Sequence, residues 1–421
     1  MSDRPVVLVV AAADMEAEAY RRYCLESVAA AYDVVLITSD EPSWEVPFIR
    51  DCVVVPDPTD QAALSAAGRA LADRYNLAGV FTWTEWYLVP VARLARQLGL
   101  PTTVPEVMQA CGNKATARSL FARHGVPSTA SVSVRTRQEA EAVAERIGYP
   151  VVLKPAAHAA SMGVIRVDGP EQVAAAYDFA ARAAGLGAES TSVLVEEYLD
   201  GPEVSVECVT YRGETTVVAV TRKTVSAPPF FEELAHSVDA SDPLIDVVAP
   251  AARAAIGALG VTDGVSHVEM RLVHGRPRLI EVSGRIAGDM IGHLVRLATG
   301  IDLPRAAADI ACDRTPDLTP TRNSAAAIHL IYPETSGTLT ALRFDGPRQP
   351  WLEQISFQRS VGDRLLLPPE GDMFSARIGF LITTGACAED ARHCGQEALR
   401  ALTFDVAPHQ VGQGTGADPL A

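Results

Sequence analysis

The stretch His267-Val-Glu269-Met-Arg-Leu272, followed after a short polar break by Leu279-Ile-Glu281-Val-Ser283-Gly-Arg285, decides how this chain is read. Successive side chains of a strand point to opposite faces, so His267 and Glu269 share one side. The break His274-Gly275-Arg276-Pro277 has turn composition, and a hairpin across it sets Glu281 beside Glu269. Two carboxylates on adjacent strands repel unless a cation lies between them. A hard divalent ion such as Mg²⁺ takes carboxylate oxygens together with the phosphate oxygens of a substrate. Arg285, four residues beyond Glu281, offers a bidentate fork to the same phosphates. The competing reading is a solvated hairpin face. Glu281 counts against it, because it interrupts the apolar run Leu279 to Val282, but these residues alone leave both readings open.

Upstream lies a second group. Lys114 follows Cys111-Gly-Asn113 at the start of a helix expected over Asn113 to His124, and Lys154 ends the buried-looking strand Val151-Val-Leu-Lys154. A lysine ammonium is a compact charge suited to phosphate oxygens. The loop Ser161-Met-Gly163 can wrap phosphates with backbone N–H groups, although loops of this composition are common on surfaces. Next comes Glu196-Glu197-Tyr198-Leu199-Asp-Gly-Pro-Glu203, a strand running into a polar hinge. Such a hinge can offer backbone groups to an adenine edge, and Glu203 can then bind ribose hydroxyls.

In this order the motifs are N-K, L-K-P, S-x-G, E-E-Y-L-x-G-x-E, H-V-E and I-E-x-x-x-R. The set resembles the ATP-grasp superfamily over about residues 1–320, and within it the carboxylate–amine ligases, including L-amino-acid ligases. The ligase features are residues 196–207, Pro228-Pro-Phe-Phe-Glu-Glu233-Leu-Ala-His236 and Arg285-Ile-Ala-Gly288-Asp289. The resemblance implies ATP and Mg²⁺ as cofactors, with Mn²⁺ as a substitute ion. It implies an amide bond formed through an acyl phosphate, with release of ADP and phosphate. Lys114, Lys154, Ser161 and Gly163 then serve the nucleotide phosphates, Glu196, Glu197, Tyr198 and Leu199 the adenine, and Glu203 the ribose. Glu269, Glu281 and Ser283 hold metal, Arg285 stabilises the transferred phosphoryl group, and Glu85, Glu233, His236, His267, Gly288 and Asp289 meet the substrates. Many members carry Asn where this chain has Ser283, which leaves the number of ions open. The alternatives are a biotin-carboxylase-like or purine-biosynthetic ATP-grasp enzyme, and a nucleotide-binding regulator without turnover.

Wider features agree with this frame. At about 100–200 residues per domain, 421 residues make two to four domains. The expected fold is α/β, with a parallel-sheet domain over 1–110 and a nucleotide lid over 111–190. A central antiparallel sheet spans 191–320 and a C-terminal α/β appendage 321–421. The N-terminal strands Pro5–Ala11, Val34–Thr38, Cys52–Val55 and Gly79–Thr82 alternate with helices starting near Glu16 and Leu64, which implies a parallel sheet. Glu85 follows the fourth strand, where ligand crevices form, whereas Trp83 and Trp86 are expected to pack in the core. A net charge of -16 disfavours nucleic acid and membrane surfaces as partners and leaves small-molecule carboxylate and amine substrates; a homodimer is compatible with it. Seven scattered cysteines without C-x-x-C spacing argue for a reducing, cytoplasmic setting. Glu233 and His236 are expected in a loop, and Asp289 either caps a helix or lines the acceptor pocket. His158 is expected to face solvent, His329 to be a satisfied core residue, Cys111 to be structural and the tail 412–421 to fray.

Overall fold

The computed structural model describes residues 4–12, 17–158, 161–186 and 190–408. Four strands, β1 (Val6–Ala11), β2 (Asp33–Thr38), β3 (Ile49–Val54) and β4 (Leu77–Phe81), form a parallel sheet in the order β3-β2-β1-β4. The apolar runs of β1 and β2, at the middle of the sheet, suit strands covered on both faces; Val7, Leu8, Val9 and Val10 are wholly buried. The covering helices are α1 (Ala17–Ala29), α2 (Gln61–Arg74) and α3 (Leu88–Leu98). The expected start of α1 at Glu16 lies outside the described residues, as does the tail 412–421.

Helices α4 (Pro105–Gly112) and α5 (Lys114–His124) lead into the lid. Asn113 caps α5, its side-chain oxygen accepting from the Thr116 N–H. The lid sheet joins β5 (Ser131–Val134), β6 (Val151–Pro155), β7 (Ile165–Val167) and β8 (Val193–Glu197) in the order β5-β8-β6-β7, packed against α6 (Arg137–Ile147) and α7 (Val173–Leu186). Residues 170–172 form a single 3-10 turn before α7. The lid therefore extends past the expected limit at residue 190, because β8 fills the middle of its sheet.

The central sheet begins with β9 (Glu203–Tyr211), β10 (Glu214–Val225), β11 (Glu233–Asp239), β12 (Gly264–Val273), β13 (Arg276–Ser283) and β14 (Ala325–Ile331). Helix α8 (Ile245–Leu259) packs on one face and α9 (Ile291–Thr299) and α10 (Leu303–Ala311) on the other. The remaining strands are β15 (Gly337–Phe344), β16 (Leu352–Phe357), β17 (Arg364–Leu365), β18 (Gly379–Gly385) and β19 (Leu402–Pro408), with α11 (Met373–Ala376) and α12 (Ala388–Arg400) between them. The eight-stranded order is β13-β12-β9-β10-β11-β14-β18-β16. The last hundred residues are thus not a separate appendage. Three of their strands continue the central sheet, and only β17-β15-β19 stand apart as a small sheet. The segment of Glu233 and His236, expected as a loop, is β11, paired with both β10 and β14. No helix of the described residues is long and apolar enough to cross a membrane.

Candidate active site

A cavity of about 1330 Å³ opens between the parallel-sheet domain, the lid, the central sheet and the segment 359–377. Pockets for a single small ligand hold about 300–1,000 Å³, so this one has room for a nucleotide and a second molecule. All the site residues singled out from the sequence line it except Gly163. Gly163 has φ +73°, and a Cβ there would lie 2.5 Å from that of Ala183. Its lack of a side chain serves the packing of the loop on α7 rather than a ligand.

The hairpin β12–β13 sets Glu269 directly opposite Glu281 and His267 opposite Ser283. Each carboxylate meets a lysine: Glu269 lies 2.5 Å from Lys223 Nζ, and Glu281 lies 3.0 Å from Lys114 Nζ. Lys223 is buried on β10 and also reaches Glu233 at 2.7 Å and Glu203 at 3.4 Å. One oxygen from each of Glu203, Glu233 and Glu269 falls within 4.8 Å of the others. Residues expected to serve ribose, substrate and metal separately therefore form one acidic cluster around Lys223, a residue the sequence reading missed. Burial lowers the Lys223 ammonium, but Glu233, Glu269 and Glu203 more than reverse the effect and hold it well above the ordinary lysine value. Burial pushes Glu269 up, and Lys223 and His267 outweigh it, holding it well below the usual carboxylate range. His267 Nδ1 sits 3.0 Å from both oxygens of Glu207 and its Nε2 3.1 Å from Glu269. Burial lowers this imidazole, but the two carboxylates raise it to about 10, so it carries its proton at neutral pH. Two facing carboxylates and the Ser283 hydroxyl are hard oxygen donors on one strand pair, a set that fits Mg²⁺.

At the other end, Glu196 at the end of β8 is gripped by two cations. Arg118 donates from Nε at 3.0 Å and from Nη2 at 3.3 Å, and Lys154 Nζ lies 2.6 Å away. Burial raises the Glu196 carboxyl, but Arg118 and Lys154 bring it down to about 2. Lys114 and Arg118 lie one turn apart on α5 and so share a face; Arg118 also donates to the Ile280 carbonyl at 2.6 Å. Arg271 pins the hinge by donating to Glu203 at 3.0 Å, the Tyr198 hydroxyl at 3.2 Å and the Leu199 carbonyl at 3.1 Å. Glu197 is held by Arg278 at 2.8 and 2.9 Å. Arg118 and Arg271 were not among the expected site residues. The i, i+4 spacing from Lys114 signals the first; nothing local to the sequence signals the second.

Glu85 faces the cavity and accepts from Arg285 Nε at 2.5 Å. Of the two tryptophans, Trp83 is in the core, but Trp86 is 47% exposed on the cavity wall, edge-on to His158. His158 is buried rather than solvent-facing, and its carbonyl accepts from Lys114 Nζ. Cys111 is buried in α4, and burial pushes its thiol up to about 12, which removes it as a nucleophile. His329 is buried as expected but not fully satisfied: its Nδ1 has no hydrogen-bond partner among the described residues, and burial lowers it to about 4. Asp289 does not cap α9. The N-cap is Met290, with no side-chain cap bond, while the Asp289 carboxylate meets Arg377 Nη1 at 2.7 Å and His236 Nε2 at 3.4 Å. Burial raises Asp289, and Arg377 more than reverses this. Its charge is thus already neutralised and gives no preference for a cationic acceptor.

Two family models match the chain, an ATP-grasp N-terminal domain over residues 26–102 and an ATP-grasp domain over residues 147–293. The chain is an ATP-grasp protein. The second match holds Lys154, the hinge, the acidic cluster and both β12–β13 carboxylates. This ATP-grasp protein is 28% identical to the uncharacterized protein y4rH of Sinorhizobium fredii, over 93% of the chain and 80% of that relative. It is 26% identical to the alanine–anticapsin ligase of Bacillus amyloliquefaciens, over 58% of the chain and 55% of that enzyme, so it spans about half the length of that ligase. Among solved structures, the L-amino acid ligase from Bacillus licheniformis superposes with a TM-score of 0.81 at 23% identity, covering 96% of this chain and 100% of that one.

Proposed function

We propose that this ATP-grasp protein is an ATP-dependent carboxylate–amine ligase that joins an amino acid or related small carboxylate to a small amine. The observation that carries the reading is the facing pair Glu269 and Glu281, with Arg285 four residues on, in a cavity large enough for a nucleotide and a second substrate. ATP-grasp proteins use ATP with Mg²⁺. Glu269, Glu281 and Ser283 would hold the ion, which when bound neutralises charge on the transferred phosphoryl group. Lys114 and Lys154 face the phosphates, and the hinge 196–199 faces the adenine. An oxygen of the donor carboxylate attacks the γ-phosphorus, the bond to the bridging oxygen breaks, and ADP leaves. Arg285, oriented by Glu85, offsets the charge that builds on the transferred group. The amine then attacks the acyl carbon, loses a proton, and phosphate departs with one oxygen of the original carboxylate. Water must be kept out between these steps, a role that suits the lid over the cavity.

The test incubates the purified chain with ATP, Mg²⁺ and pairwise mixtures of amino acids. The expected result is ADP and phosphate formed in equal amounts with a new amide. Nucleotide binding without turnover across the whole panel would favour the regulator reading; carboxylation of a substrate dependent on bicarbonate would favour the biotin-carboxylase-like one.

A further inference from the structure

Arg377 lies outside both family-matched ranges yet lines the same cavity. It is 1% exposed. Its Nε donates to the Tyr332 hydroxyl at 2.9 Å, and its Nη1 donates to the Tyr20 hydroxyl at 3.1 Å and to Asp289 at 2.7 Å. Its Nη2, also buried, has no acceptor among the described residues. Leaving a buried donor unsatisfied is costly, and more so when the group is charged. The residue lines the ligand cavity, and an unpaired guanidinium donor beside it is a group that an anionic oxygen satisfies once a ligand is seated.

Its surroundings narrow the anion. Arg377 is linked through Asp289 to His236, and Asp289 follows Arg285 by four residues. Arg377 therefore belongs to the Arg285 end of the cavity and not to the hinge end around Glu196. Asp289 already balances the charge of Arg377, and Glu232, itself close to Asp372, interacts electrostatically with the guanidinium. A dianionic phosphate would add two more charges beside these acids, whereas a single carboxylate brings one, in the planar shape that matches a guanidinium fork. The chemistry supplies such a group. An amino acid acting as the amine keeps its own carboxylate ionised through both steps, and a buried carboxylate needs a paired donor.

We infer that Arg377 is a specificity-determining residue that reads the free carboxylate of the amine substrate, so that the acceptor is an amino acid rather than a simple amine. This rests on the ligase reading above. The test is a one-pot competition: ATP, Mg²⁺, the twenty common L-amino acids and equimolar amounts of their carboxamides. Mass spectrometry then separates dipeptides with a free carboxylate from dipeptide amides. In the wild-type chain the acid products are expected to exceed the amides at least tenfold. Because Arg377→Met alone would strand Asp289, the variant is Arg377→Gln with Asp289→Asn, which removes both charges together. Its ratio is expected to fall to within about twofold of unity, while Arg377→Lys keeps a preference for acids. A purely structural role would depress both product classes and leave the ratio unchanged. A wild-type ratio near one, or an unchanged ratio in the double variant, overturns the inference. If no ligated product of either class forms, the ligase reading fails. Thermal shifts with the same two panels then decide the matter for Arg377: acids should stabilise the wild type and not the double variant, and no such difference overturns the inference.

Discussion

Lys223→Met should be among the most destabilising single changes in this protein. The methionine preserves the length and apolar stem of the side chain and deletes the one cation that Glu203, Glu233 and Glu269 share at 3.4, 2.7 and 2.5 Å. Removing one partner of a buried ion pair costs about 3–5 kcal/mol, because the remaining charge is left uncompensated. Here three carboxylates with oxygens within 4.8 Å of one another are left together. At about 2.1 cal/mol/K of unfolding entropy per residue, 421 residues unfolding as one unit convert that loss into a Tm drop of about 3–6 °C. The sign with pH also follows. Without Lys223 the clustered acids hold protons more tightly folded than unfolded, so the deficit is smallest in acid and grows as pH rises. Divalent cations should reverse part of it, since the same oxygens can hold an ion; Mg²⁺ at one hundred times its Kd would return about 2.7 kcal/mol. The assay is thermal denaturation of both chains at pH 5 and pH 8, with EDTA and with Mg²⁺. A variant that melts with the wild type at pH 8 in EDTA would show that Lys223 does not hold these carboxylates together.

Glu281→Gln keeps the shape of a candidate metal ligand and removes its charge; ADP formation is expected to fall by about 10²–10³-fold with the fold retained, and near-wild-type turnover at saturating Mg²⁺ would reject the assignment. Gly79→Ala would place a Cβ 2.2 Å from the Ala311 carbonyl oxygen, where β4 abuts α10, so a loss of about 1–3 kcal/mol is expected in urea denaturation; an unchanged midpoint would contradict that packing. Burial raises the Glu232 carboxyl from 4.5 to about 7, so its contribution to stability is complete below pH 4.5 and is lost as pH rises through 7. Glu232→Gln should therefore gain Tm relative to wild type between pH 5 and pH 8, and parallel pH curves would show that the shift is absent.

Much of the site was legible because its chemistry sits on short motifs with regular local geometry. The facing glutamates follow from strand alternation and one turn, and Lys114 follows from a capped helix start. What escaped depends on contacts distant in sequence. In β11 the polar residues Glu233, His236, Ser237 and Asp239 break the apolar pattern of a strand, yet all but Asp239 are buried. Lys223 and Asp289 pair with Glu233 and His236 from other elements. Reading that segment as a loop also hid the link from β10 to β14, which is why the last hundred residues looked separate. The boundary at residue 190 failed for a similar reason: β8 is continuous with the hinge in sequence but pairs with β5 and β6 in space. Arg377 sits in a segment without periodicity, and only the fold brings it to Asp289, 88 residues away.

The proposed route activates a substrate carboxylate by phosphorylation. It is tested most directly by giving the enzyme a donor amino acid labelled with ¹⁸O in both carboxylate oxygens and weighing the products. One labelled oxygen should appear in inorganic phosphate and the other in the new amide, with unlabelled ADP. Label in AMP, or phosphate carrying only oxygen from water and ATP, would contradict it.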